Sequence, residues 1–296
     1  MPAAHTGGSI FRPLAGEDPE RLFHAEGRGS SAVVLVRIPI LQDNYAYLVV
    51  SGPEATAIDP GEAGPVAGFV REHGLSLVRI LVTHHHADHS GGCASLKRET
   101  GCAVLGPRDD RMPALDRFLG DGETVKCGGF DFMAVHAPGH TRSHLVYAVR
   151  AGEASFLFSG DCLFPSGCGR VLEGTYSDML SSLRRIAAPS RAGGVKLSGE
   201  TVLLAGHEYT LENLAFALAL EPDNEEIKKR AERFRTCLGE LGTPPASLLA
   251  DERKTNPFLR PGDPLLRKAL GMERAGDAAV FAEIRGRKDR FRSFPG

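Results

Sequence analysis

The stretch LVTHHHADHSGG, Leu81 to Gly92, decides how the rest of the chain is read. Four histidines and one aspartate fall within the six residues from His84 to His89, directly after an apolar run. So many titratable groups in one turn would repel or desolvate one another unless a shared cation satisfied them. The run before them, Leu77 to Thr83, has the length and character of a buried strand, so the cluster sits at a strand's carboxyl end. Alternate residues share a face, which lets His84 and His86 meet one ion. Asp88 and His89 lie further round the turn and meet another, while His85 points away.

A catalytic zinc keeps three protein ligands and one open position, so two ions need more donors. Three further strand ends supply them, each with a glycine just before the polar residue. APGHT brings His140 after Gly139, FLFSGDCLF brings Asp161 after Gly160, and VLLAGHEYT brings His207 after Gly206. The expected sets are His84, His86 and His140 for one ion, and Asp88, His89 and His207 for the other, with Asp161 able to bridge them. Imidazole and carboxylate without thiolate suit zinc, iron or manganese. His136, inside a strand pattern, and His144, opening the next, are read as structural. Thr83 and Ser143 are candidate supports for the ligands.

The remainder of the chain is consistent with a globular enzyme. It has 296 residues, 42% apolar and 24% charged, with a net charge of −2, enough for a sizeable core. That balance offers no basic stripe for nucleic acid, and no run of about 18 apolar residues for a membrane span. Six cysteines without a C-x-x-C pair read as reduced structural thiols, which points to the cytoplasm. Residues 1–31 carry Arg12, Arg21 and Arg28, but Glu17, Asp18, Glu20 and Glu26 argue against a transit peptide. A loosely ordered extension is expected there, and a monomer overall.

From Ala32 the pattern alternates strands with occasional helices up to about His207, as in a layered α/β (α+β) architecture. After Tyr209 it changes to amphipathic helical runs, LENLAFALAL and NEEIKKRAERFRTCLGEL, followed by Pro-bearing turns and AAVFAEIRGRKDRF. The expected organisation is an extension (1–31), a metal-binding domain (32–209) and a helical substrate-binding domain (210–296).

T-H-x-H-x-D-H followed by G-H, G-D and G-H in this order resembles the metallo-β-lactamase superfamily, over roughly residues 32 to 209. That resemblance implies an αββα sandwich and the same division of ligands. GDCLFPSGCGRVLEGT, GHEYT, NLAFAL and ERKTNPFLR, with the helical tail, further resemble glyoxalase II, the hydroxyacylglutathione hydrolases. The family implies hydrolysis of S-D-lactoylglutathione to D-lactate and glutathione, as in methylglyoxal detoxification. It also implies glutathione contacts at Arg170, Leu172 (where the family has an aromatic), Tyr209, Arg285 and Lys288. The last two share a helical face at i, i+3 spacing, suited to a carboxylate.

The chemistry implied is attack by hydroxide from a water bridging two divalent ions, which lower its pKa toward about 7. Asp88 and Asp161 are the expected catalytic carboxylates. A thiol leaving group, with a pKa near about 8.5, departs as thiolate with little need for a general acid. The alternatives are a mono-iron persulfide dioxygenase and a nuclease on the same fold. His89 and the helical tail speak against the first, and the acidic balance against the second.

Overall fold

Period-two alternation along the strands gives each sheet two apolar faces, and the chain covers all four. The computed structural model describes residues 21–26, 32–127, 130–151, 154–188, 191–192, 195–241 and 244–292. The first sheet runs in chain order: β1 (Arg21–Glu26), β2 (Ala32–Ile40), β3 (Asn44–Ser51), β4 (Glu54–Ile58), β5 (Ser76–Leu81), β6 (Ala103–Gly106) and β7 (Arg117–Phe118). Its first four strands are antiparallel, and pairing from β4 to β7 is parallel. Of the expected extension, residues 21–26 form the edge strand β1, recruited by backbone pairing with β2. The rest of it lies outside the described residues.

The second sheet holds β8 (Thr124–Cys127), β9 (Phe130–His136), β10 (Leu145–Ala151) and β11 (Ala154–Gly160). A short hairpin, β12 (Leu163–Phe164) with β13 (Gly167–Cys168), and a small pair, β14 (Arg191–Ala192) with β15 (Val195–Lys196), follow. The sheet is completed by β16 (Val202–Ala205), parallel to β11, and β17 (Ser247–Leu248) from the C-terminal region.

Alternation explains the layers. Tyr47 and Val49 of β3 meet Phe132, Tyr147 and Phe158 of the second sheet in the core between the sheets. Leu48, facing the other way, packs beneath α1 (Ala63–Glu72) and α3 (Cys93–Thr100), which follows the single turn α2 (Ala87–Ser90). On the second sheet, Met133, Val146 and Leu157 pack beneath α4 (Tyr176–Ala187). The result is the αββα sandwich.

The C-terminal elements are α5 (Thr210–Leu220), α6 (Glu225–Leu241), α7 (Leu249–Thr255), a 3-10 turn (Pro257–Leu259), α8 (Pro264–Leu270) and α9 (Asp277–Arg290). Their core is not separate. Phe216, Phe258, Phe281 and Ile284 join the same cluster as the outer face of the second sheet. Only a satellite of Leu214, Ile227, Ala231 and Phe234 belongs to α5 and α6 alone. No described helix is long and apolar enough to cross a membrane, and all six cysteines are free thiols.

Candidate dinuclear metal centre and its cleft

Every polar residue expected at the centre emerges from the carboxyl end of a strand. Thr83 to His89 follow β5, His140 follows β9, Asp161 follows β11 and His207 follows β16. Two glycines make the convergence sterically possible. Gly160 has φ of 48°, a left-handed conformation, and a Cβ there would lie 2.5 Å from Thr83 Oγ1. At Gly206 a Cβ would come within 2.5 Å of His89 Cε1 and 2.9 Å of Asp161 Oδ1.

The donor atoms gather in two sets. His84, His86 and His140 form one, and Asp88, His89 and His207 the other, with donor atoms in each set within 4.8 Å of one another. His86 Nδ1 lies 3.0 Å from both His84 Nε2 and His140 Nε2. His89 Nε2 lies 3.3 Å from His207 Nε2 and 3.5 Å from Asp88 Oδ2. Nitrogens bound to one tetrahedral zinc at about 2.0–2.1 Å stand roughly 3.3 Å apart, so these spacings match a coordination sphere. Asp161 lies between the sets. Its Oδ2 is 3.3 Å from His140 Nε2, and its Oδ1 is 3.2 Å from His89 Nε2 and 3.4 Å from His207 Nε2. Asp161 Oδ1 is buried without a hydrogen-bond partner, as an oxygen awaiting a cation would be. The donors present therefore fit two divalent ions.

The outward nitrogen is held in four of the five candidate histidine donors, whereas His86 turns its Nδ1 inward. His84 Nδ1 donates to Thr83 Oγ1 (3.0 Å), whose hydroxyl donates to Asp59 Oδ2 (2.7 Å). His89 Nδ1 donates to the same Asp59 oxygen (3.1 Å), and the Thr83 N–H to Asp59 Oδ1 (2.7 Å). His140 Nδ1 donates to the Arg170 carbonyl (2.9 Å), and His207 Nδ1 to Asp43 Oδ1 (2.9 Å). These bonds set the tautomer that aims Nε2 inward. Asn44 Nδ2 donates to Asp88 Oδ2 (3.0 Å).

Asp43, Asn44 and Asp59 escaped sequence reasoning. Their signal was present as polar residues at strand ends, in QDN before β3 and in IDPG after β4. His144 is fully buried, stacks on His84 at 4.9 Å and accepts the Asp161 N–H through Nε2 (3.2 Å). His136 caps the Arg142 carbonyl. His85 turns toward Asp109 (3.5 Å) and Glu173 (3.8 Å), outside both sets. Ser143 donates to Asp109 and does not support a ligand.

Electrostatics separate the two sets. Burial holds His84 well below its ordinary pKa and lowers those of His86 and His140, so all three favour the neutral, ligating form. Burial also opposes charge at His207, but Asp161, Asp88 and Asp43 outweigh it and raise the pKa to about 10. His89 is raised in the same way, chiefly by Asp161 against its own burial. Burial works against the Asp161 carboxylate, yet His89, His207 and His140 hold it ionised.

The centre opens into a cleft of about 440 Å³, within the range of about 300–1,000 Å³ usual for small-molecule sites. Arg170, Leu172, Tyr209, Arg285 and Lys288 all line it, together with His86, Asp88, His140, Asp161 and His207. Tyr209 stacks on His207, with ring centroids 4.8 Å apart and planes 9° apart. Burial, then Asp43 and Asp161, raise its phenol pKa, keeping it a hydroxyl donor. Arg170 and Leu172 are exposed at the rim. Lys288 donates to Glu212 (2.5 Å). Arg285 is buried, donating to the Cys168 carbonyl (2.8 Å) and to Asp289 (2.9 Å).

An αββα sandwich with two donor sets at its strand ends defines a metallohydrolase of the metallo-β-lactamase superfamily, whose family model matches residues 41–192. A second model, the hydroxyacylglutathione hydrolase C-terminus, matches residues 208–291. Hydroxyacylglutathione hydrolases of Cereibacter sphaeroides and Methylococcus capsulatus are each 42% identical, covering 87% of this chain and 98% of their own. The crystal structure of ETHE1 from Myxococcus xanthus is 22% identical with a TM-score of 0.59, covers 85% of this chain and 89% of its own, and shows likeness of fold alone. The chain belongs to the hydroxyacylglutathione hydrolase family, a group of thioester hydrolases within that superfamily.

Proposed function

We propose that this enzyme hydrolyses S-D-lactoylglutathione to glutathione and D-lactate, serving methylglyoxal detoxification in the cytoplasm as a monomer. One observation carries the reading: five of the seven convergent candidate metal donors line a single cleft together with Tyr209, Arg170, Arg285 and Lys288. His84, His86 and His140 would hold one ion, and Asp88, His89 and His207 the other, with Asp161 giving one oxygen to each. Two zinc ions are the proposed occupants, and iron or manganese would suit the same donors. When bound, the pair would supply an acidic water as nucleophile and positive charge for the developing oxyanion.

The protein's own groups place the thioester against that centre. Asp88, held by Asn44, lines the cleft beside the second donor set, where it would face the thioester carbon. Tyr209 offers its hydroxyl beside His207, where the thiol-bearing part of glutathione would lie. Arg170 and Lys288 supply cations for the tripeptide carboxylate, and Arg285 fixes the wall between them. Leu172, apolar and exposed at the rim, would flank the bound tripeptide.

The test is thiol release from S-D-lactoylglutathione by metal-loaded protein. Chelation should abolish it, and His86→Ala or Asp161→Asn should lower kcat/KM by at least about a hundredfold. Full activity in metal-free protein would overturn the reading. So would oxygen uptake with glutathione persulfide and one iron per chain.

A further inference from the structure

The hairpin β12–β13 forms one wall of the cleft, with Phe164 and Cys168 facing it. Five consecutive residues of that hairpin have a backbone group held by a side chain from the C-terminal region. Asn256 Nδ2 donates to the carbonyls of Phe164 (3.3 Å) and Gly167 (3.0 Å). Asn213 Nδ2 donates to the Pro165 carbonyl (3.1 Å), Glu252 Oε2 accepts the Ser166 N–H (2.8 Å), and Arg285 donates to the Cys168 carbonyl.

The centre of this clamp is closed off from bulk solvent. Glu252, Asn256 and Ser166 are each wholly buried. Asn256 Nδ2 also donates to Glu252 Oε2 (3.0 Å), and Glu252 Oε1 accepts from Ser247 Oγ (2.6 Å) and from Arg230. Ser166 has φ of 57°, a left-handed conformation that a non-glycine residue keeps only when its surroundings hold it there. Buried carbonyls without these donors would be left unsatisfied, so the hairpin's shape depends on the clamp.

The hairpin leads straight to the metal centre. Gly169 lies against the Asp161 carbonyl so closely that a Cβ would collide with it. Arg170 then turns its carbonyl to His140 Nδ1 and its side chain to the rim. We propose that Asn256 and Glu252 are positioning residues which, through the hairpin 163–168, set both the cleft wall facing glutathione and the orientation of His140. The KM part rests on the thioester reading, and the metal part does not.

The test uses the full-length zinc-loaded protein and Asn256→Ser, in which serine can still cap the Phe258 N–H that Asn256 Oδ1 accepts (3.0 Å). Losing these buried donors should raise KM for S-D-lactoylglutathione about fivefold with kcat little changed. A lactoyl thioester of mercaptoethanol, which lacks the tripeptide, should keep its KM. In chelator competition, one of the two ions should leave at about tenfold lower chelator concentration, because an outer partner of His140 is displaced. Equal KM changes for both substrates, or no KM change with unaltered chelator release, would overturn the proposal. Failure of the unsubstituted protein to cleave either thioester would sink the thioester reading, while chelator release would still decide the clamp. If Asn256→Ser does not fold, Glu252→Gln, which keeps an acceptor for the Ser166 N–H, carries the same two readouts.

Discussion

At the scale of single residues, Asp59 joins the two halves of the centre. Through Thr83 it orients His84, a donor of the first set, and directly it orients His89, a donor of the second. Asp59→Asn should therefore weaken binding of both ions, by about 10–100-fold, in metal titrations of folded protein. Loss of one ion alone would show that the bridge is not shared. The two sets also differ in protonation. His84, His86 and His140 are neutral near pH 7, whereas His207, raised to about 10, carries a proton when no ion is bound. An ion entering the second set must displace that proton, so its apparent affinity should rise with pH up to about 10 and fall below it. Calorimetry in buffers of different ionisation enthalpy should show release of at least one proton with one ion and little with the other. The histidines and Asp161 were legible because their types and spacing are rare. Asp59 was not, because an aspartate before Pro-Gly reads equally well as a turn.

At the scale of elements, the strand ends do the positioning and the glycines permit it. A methyl at Gly206 would press on His89 and Asp161, so Gly206→Ala should give folded protein with reduced metal content by elemental analysis. Helix α4 begins with a capping box, Thr175 Oγ1 accepting the Asp178 N–H (3.1 Å) while the Thr175 N–H meets the Asp178 carboxylate (2.8 Å). Thr175→Ala should cost about 1 kcal/mol, or about 2–4 °C in Tm, in thermal unfolding. The strand expected over Leu77 to Thr83 is β5, Ser76–Leu81, within two residues at each end. The two-residue strands β7, β12, β13, β14, β15 and β17 were not legible, since so short a segment has no period and exists only through its partner.

At the scale of the whole molecule, the C-terminal region completes the core that the sandwich leaves open. Phe216, Phe258 and Phe281 cover Met133, Val146 and Leu157 on the outer face of the second sheet. A chain ending at residue 209 should expose that face, and is expected to aggregate or bind a hydrophobic dye. A soluble, dye-negative fragment with a sharp thermal transition would contradict this. Phe258→Ala, in the full chain, should cost about 3–5 kcal/mol in denaturant unfolding. After His207 the described elements are mainly helices, with the two-residue strand β17 returning to the second sheet. The shared core shows that this change of pattern does not separate two independent hydrophobic interiors.

Local chemistry determined which side chains could ligate metal, because imidazole and carboxylate at strand ends have few other uses when crowded together. It also determined the strand and helix periods that lead to the sandwich. Tertiary structure alone decided that Asp43 and Asp59 aim the histidines, and that Arg285 is held by the Cys168 carbonyl and Asp289. These depend on contacts between residues far apart in the chain, such as the 117 positions separating Arg285 from Cys168. Periodicity reports a residue's own face and carries no information about which distant backbone that face will meet.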